Sequence, residues 1–131
     1  MNIFFDVDDT IIAFNGVLRP HVREVFQRLV EDGHSIYIWS GVGLRWEVID
    51  HNGLRPLVTD CFVKPVQNYR EGLKTLGIPV EPDFCVDDHP ELIRALGGEA
   101  IKAYFWVDDG DREMLRIYDV IAEYARSHDG L

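Results

Sequence analysis

Cysteine is scarce in this 131-residue chain: only Cys61 and Cys85 occur, with no CxxC pair and no cluster of His and Cys at ligand spacing. That scarcity excludes a disulfide scaffold and a structural zinc site. Both thiols fall in apolar runs, where a buried, reduced cysteine is the ordinary outcome. Basic residues are also in deficit. Lys and Arg number 13 against 23 acidic residues, a net charge of −10, and such a surface repels a nucleic-acid backbone, so no nucleic-acid partner is expected. No apolar run approaches the ~20 residues a membrane span needs. The first apolar stretch begins at residue 2, leaving no room for a signal peptide. A cytoplasmic chain without a membrane partner is the expectation. Linkers, repeats and low-complexity segments are missing as well, so residues 1–131 read as one domain large enough to bury a core.

What is present alternates. Strand-like apolar runs at Asn2–Asp6, Ser35–Trp39, Cys61–Val63, Phe84–Val86 and Ile101–Val107 are separated by amphipathic stretches. The helices predicted between and after them are Pro20–Glu31, Leu44–Asn52, Pro65–Leu76, Pro90–Leu96 and Asp111–Arg126. Glycine follows most of them, as helix C-caps require, and proline opens three, where its missing N–H costs nothing. Five βα units in succession predict an α/β chain: a three-layer, Rossmann-like fold with a five-stranded, mostly parallel sheet. The less regular run Ile101–Val107 is placed at an edge.

Ligands bind at the carboxyl ends of strands in such sheets. Those ends carry Asp6-Val7-Asp8-Asp9-Thr10, then Ser40-Gly41, then Lys64-Pro65, then Asp87-Asp88. In an extended chain Asp6 and Asp8 would share a face, roughly 6.5–7 Å apart along the backbone. Two close carboxylates raise each other's pKa unless a cation sits between them, so the cluster predicts a hard cation and a reaction. Four consecutive strand ends with complementary polar groups are harder to dismiss than any one motif.

In that order and spacing, the four strand ends resemble the four motifs of the haloacid dehalogenase superfamily of phosphohydrolases. Asp6-Val7-Asp8-Asp9-Thr10 is similar to the DxDxT motif, Ser40 to the second, Lys64 to the third and Asp87-Asp88 to the fourth. The resemblance implies a Mg²⁺-dependent phosphohydrolase that cleaves a phosphomonoester through an aspartyl-phosphate. By that resemblance Asp6 is the nucleophile and Asp8 the general acid and base. Mg²⁺ would be held by a carboxylate oxygen of Asp6, the backbone carbonyl of Asp8 and the acidic pair, with Asp88 favoured as ligand and Asp87 orienting the lysine. Ser40 and the N–H of Gly41, at a helix N-terminus, would hold phosphoryl oxygens. Lys64 would neutralise charge on the nucleophile and the transferring group. Thr10, grouped with the substrate-contacting positions, is expected to hydrogen-bond the backbone and shape the turn.

Each motif pair is separated by about one βα unit, which leaves no room for the cap domain many relatives insert. Ile11–Leu18, with its Asn15-Gly16 turn signal, suffices for a small flap. The site should therefore be open, closed only by that flap, by neighbouring loops or by homo-oligomer contacts. Two alternatives come from other classes. A receiver-like signalling module also joins acidic residues, a hydroxyl and a lysine on an α/β fold, but its order differs: the phosphorylated aspartate follows the third strand. A degenerate binding or scaffold protein would have lost a catalytic position, and none is missing. Dehalogenation would need neither Asp8 nor the Asp87-Asp88 pair.

Other features read more simply. Gly41-Val42-Gly43 opens like a dinucleotide fingerprint, but Trp46 stands where the third glycine belongs. His89 is expected to cap a helix or support the site, and Asp108–Asp111 to form a solvated turn capping the last helix. Arg45 and Trp46 are expected to begin the helix after Ser40, within reach of a substrate together with Tyr69 and the Trp106–Arg112 loop, although a structural role is the simpler reading of each.

Overall fold

The apolar runs form five strands: β1 (Asn2–Asp6), β2 (Ser35–Ser40), β3 (Asp60–Val63), β4 (Phe84–Asp87) and β5 (Gly98–Ala100). All neighbours pair in parallel, in the order β3-β2-β1-β4-β5. The structure is a computed structural model and describes residues 1–129; residues 130 and 131 of the expected domain lie outside them. Parallel neighbours need crossovers, and helices supply them: α1 (Val22–Glu31), α2 (Trp46–His51), α3 (Tyr69–Thr75), α4 (Pro90–Leu96) and the closing α5 (Glu113–Asp129).

Alternation along β1 makes the three layers. Phe4 faces one side, packing with Tyr37, Trp39, Leu73 of α3 and Leu92 and Leu96 of α4. Ile3 and Phe5 face the other, among Val25, Phe26 and Leu29 of α1 and Met114, Ile117 and Ile121 of α5. Both faces of the central strand are thus dry, which is why it reads as an unbroken apolar run. Each buried Phe, Leu or Ile contributes roughly 1.5–3 kcal/mol relative to exposure.

The sheet departs from the expected one at its edge. Ile101–Val107 is not a strand; the fifth strand is Gly98–Ala100, paired with Cys85–Asp87. A Cβ on Gly98 would sit 1.9 Å from the Cys85 carbonyl oxygen, so only glycine permits that pairing. The glycine pair after α4 thus ends a helix and opens a strand at once. Helix starts also move. The chain enters α1 at Val22 and α3 at Tyr69, after left-handed His21 (φ 69°) and Asn68 (φ 48°), and α2 begins at Trp46 rather than Leu44. Pro20 and Pro65 precede the helices they were expected to open.

Register brings the strand ends level. Phe5 pairs with Val86, so Asp6 lies opposite Asp87; Ser40 pairs with Val63, so Lys64 follows one residue beyond. β1 has its two sequence-distant neighbours on opposite sides, and the crevice at this switch point receives all four motifs.

Candidate active site

Asp6, Ser40, Lys64 and Asp87 converge at the carboxyl end of the sheet and are nearly inaccessible. Lys64 Nζ donates to Asp6 Oδ1 at 3.0 Å and to Asp87 Oδ2 at 2.9 Å. The same lysine's backbone N–H donates to the Ser40 carbonyl at 2.9 Å, fixing the residue from which the side chain reaches across. Asp87 uses its other oxygen to accept from the backbone N–H of His89 at 3.0 Å, and His89 Nδ1 lies 2.9 Å from it. Both oxygens of Asp87 are therefore engaged. Thr10, fully buried, places its hydroxyl 3.2 Å from Asp6 Oδ2 and 3.4 Å from Asp88 Oδ1, and its one proton serves either in turn. Its hydroxyl touches side chains rather than the backbone expected of it.

The charges here do not balance. Asp6, Asp87, Asp88 and His89 each offer a ligand atom, and these atoms lie within 4.8 Å of one another. One lysine serves the two most buried carboxylates. Burial first, then the neighbouring Asp87, push the Asp6 carboxyl up, Lys64 only partly opposes them, and the carboxyl comes to rest at about 7. Burial alone would lower the Lys64 ammonium, but Asp6 and Asp87 outweigh that and raise it. The hydrogen bond to Asp87 raises His89 above the ordinary imidazole value. Oxygen-rich, short of positive charge and partly open through Asp88, this group suits a hard divalent cation.

Asp8 is not part of that group. β1 stops at Asp6 and the chain turns back, with the N–H groups of Thr10 and Ile11 donating to the Val7 carbonyl at 3.2 and 3.0 Å. Asp9 takes a left-handed conformation (φ 63°). The alternation predicted for Asp6 and Asp8 therefore ends before it applies. The Asp8 carboxylate is exposed and held by Arg45, with Nη1 donating to Oδ2 at 2.6 Å and Nη2 to Oδ1 at 3.3 Å. The hydrogen bond to Asp8 is the largest cause of a raised Arg45 guanidinium. Arg45 Nη1 is also 3.3 Å from Ser40 Oγ, and Nε donates to Glu47 at 3.0 Å.

Gly41 differs from expectation too. It lies in the open loop 41–45, five residues ahead of α2, so no helix N-terminus stands behind it. Its lack of a side chain matters instead for space, since a Cβ would meet Val66 Cγ1 at 2.7 Å. Two hollows flank Lys64. One, about 370 Å³, runs along Gly41, Val66, Asn68 and Glu71; the other, about 270 Å³, is lined by Tyr69, His89 and Glu91.

The flap is a small hairpin. Ile12 bridges Leu18, Ala13 N–H donates to Val17 at 2.9 Å, and Gly16 (φ 85°) makes the turn. It joins the segment after β5 through Phe14 N–H to the Phe105 carbonyl at 3.0 Å, and Tyr104 N–H donates to the Asp9 carbonyl at 2.7 Å. Phe14 and Phe105 stack and Trp106 meets both edge-on, with centroids 4.9–5.3 Å apart and all three rings exposed to solvent. The apolar run 101–107, strand-like in composition, instead joins the flap along the rim of the site. Arg19 buries its guanidinium beneath, donating to both oxygens of Asp111 at 2.7 and 3.1 Å and to the Thr10 carbonyl at 3.1 Å. Asp111 is therefore less solvated than expected of that turn, and its Oδ2 also accepts from the Glu113 N–H at 3.3 Å where the last helix begins. The sequence shows an arginine before a proline and an acidic loop 92 residues later; nothing in either marks the pair.

The arrangement defines a parallel α/β, Rossmann-like chain with a polar crest, the fold implied by the resemblance to haloacid dehalogenases. The sequence matches no family model and no curated protein. Among solved structures it is similar to the NMR structure of the core domain of "a putative phosphoglycolate phosphatase" from Streptococcus pneumoniae TIGR4. The TM-score is 0.59 at 14% identity, over 93% of this chain and 95% of that one. At that identity the likeness establishes the fold. No described helix is long and apolar enough to cross a membrane.

Proposed function

We propose that the chain is a Mg²⁺-dependent phosphomonoesterase of the haloacid dehalogenase type, working through an aspartyl-phosphate on Asp6. The observation that carries this reading is Lys64 Nζ, held between Asp6 and Asp87 at 3.0 and 2.9 Å beneath an open crest. An ammonium there offsets the charge of the attacking carboxylate and of the phosphoryl oxygens as the transition state forms. The phosphatase name borne by the Streptococcus neighbour agrees with this at the level of reaction class.

In the first step an Asp6 oxygen bonds to phosphorus as the ester P–O bond breaks, and the Asp8 carboxyl gives its proton to the departing oxygen. In the second, Asp8 takes a proton from water, that oxygen displaces Asp6 from phosphorus, and phosphate leaves. Ser40 Oγ and the Gly41 N–H would hold phosphoryl oxygens. Carboxylate oxygens of Asp6 and Asp88, with the Asp8 backbone carbonyl, would hold Mg²⁺; Asp87, already bonded at both oxygens, would position Lys64 and His89. When bound, the cation supplies positive charge to the carboxylates and to the transferring group. We place it in the cytoplasm, acting on a phosphorylated substrate without a nucleic-acid or membrane partner.

Purified protein should hydrolyse p-nitrophenyl phosphate with Mg²⁺ and not with excess chelator, and Asp6→Asn should be inactive. Removing a nucleophile costs on the order of 10⁴-fold or more in turnover. An Asp6→Asn protein with undiminished turnover overturns this reading.

A further inference from the structure

Arg45 has no part in the reaction described above, yet its guanidinium sits at the site. It bridges Ser40 Oγ at 3.3 Å, a hydroxyl proposed for a phosphoryl oxygen, and Asp8 at 2.6 and 3.3 Å, the carboxyl proposed for the leaving oxygen. This places the fork on the leaving-group side of the scissile bond. We propose, building on the phosphatase reading, that Arg45 is a specificity residue that binds a second anionic group of the substrate. The substrate class is then a phosphomonoester carrying a carboxylate or a further phosphate a few bonds from the ester oxygen.

Geometry and hydrogen-bonding capacity carry this. A carboxyl held on both oxygens by one guanidinium is not free to meet an ester oxygen, so Asp8 must leave the fork before it works. An anion delivered by the substrate is the natural replacement, since a guanidinium matches carboxylate and phosphate oxygens two at a time. Glu47, the guanidinium's remaining partner, reaches only Nε at 3.0 Å and leaves the two terminal nitrogens to Asp8 and Ser40. Arg45 itself is held in place, its backbone N–H donating to Cys61 Sγ at 3.4 Å, while its side chain stays partly accessible. The phosphoryl group has Lys64 below it already. A second cation one residue before α2 therefore serves another part of the ligand.

The test compares 3-phosphoglycerate with glycerol 3-phosphate, esters that differ in one carboxylate, on the Mg²⁺-loaded protein. The wild type should favour 3-phosphoglycerate in kcat/KM by about tenfold or more, the effect expected of one charge-assisted pair. In Arg45→Met that ratio should fall to about one, chiefly through a higher KM for 3-phosphoglycerate, and Arg45→Lys should restore part of it. Dissociation constants of both esters for the Asp6→Asn protein, with and without Arg45→Met, provide a readout that does not need turnover. Absent turnover with an Arg45-dependent binding preference intact overturns the phosphatase reading and leaves the anion site standing. Equal loss on both esters in Arg45→Met, or no preference in the wild type by either readout, overturns the anion site.

Discussion

Asp6 and Asp8 are two residues apart in the chain and belong to differently built regions. Asp6 lies on the floor of the site at a strand end, buried, with Lys64 and Thr10 on its two oxygens. Asp8 lies on the rim, past the turn, exposed, and held by a loop arginine. On the floor the partners come from neighbouring strands whose register admits little change, because a shift of one residue would swap every core side chain onto the opposite packed face. On the rim they come from loops 41–45, 11–18 and 101–109, and their stacking and ion pairs sit in water. The contrast teaches where rigidity is invested: in the attacking group and its counter-charge, and less in the group that must move protons.

The largest effect that would test this contrast is on the floor. Lys64→Met leaves Asp6 and Asp87 buried without their cation and should lower stability by about 3–5 kcal/mol, measured by chemical denaturation. Loss of under about 1 kcal/mol would mean that the floor is not rigidly coupled. Asp8→Asn breaks a solvent-exposed pair and should cost less than about 1 kcal/mol, while still impairing turnover. Equal destabilisation by the two substitutions would erase the distinction.

Titration gives a finer comparison. The Asp6 carboxyl sits near 7 when folded against an ordinary 3.8, so the folded chain holds its proton in a window where the unfolded chain has released it. Stability from this group is present at low pH and is lost as pH rises between about 4 and 7. His89, raised by its bond to Asp87, acts in the same direction: its contribution is full below the ordinary imidazole value and fades as pH rises through its folded value. Metal-free protein should therefore melt lower at pH 8 than Asp6→Asn does, with the two converging towards pH 4. Added Mg²⁺ should raise the wild-type melting temperature most at pH 8. A constant gap between the two proteins across this range would show that Asp6 is not carrying an unfavourable charge. The smallest effect belongs to the outer rim: Trp106→Ala removes an exposed ring that packs edge-on against Phe14 and Phe105, and should shift stability by about 1 kcal/mol or less.

The same division decided what could be read from the sequence. Strand ends announce themselves because apolar runs stop at polar groups, and Asp6, Ser40, Lys64 and Asp87 all meet at the crest. Loops do not announce themselves. The turn after Asp6 hinges on a left-handed aspartate, which carries no sequence signal as strong as glycine's. The pairing of Arg45 with Asp8 and of Arg19 with Asp111 depends on loop paths that no local pattern encodes. β5 was hidden because Gly97-Gly98 looks like a helix cap, and its role in close approach to Cys85 appears only in the sheet. The aromatic run beyond it has strand composition yet packs as a solvent-facing cluster, where tertiary context overrides β-propensity. The buried thiols were legible: Cys85 lies in the core, where burial first, then Asp87, pushes it up to about 12 and leaves it inert.

The most direct test of the account is to trap the intermediate. Asp8→Asn protein retains the proposed nucleophile but lacks the base for the second step. Incubated with Mg²⁺ and a reactive aryl phosphate, quenched in acid and digested, it should yield a phosphorylated peptide with the label on Asp6, absent when Asp6→Asn is added. A label on another residue, or aryl phosphate turned over at the wild-type rate with no acid-stable label on Asp6, would contradict the account.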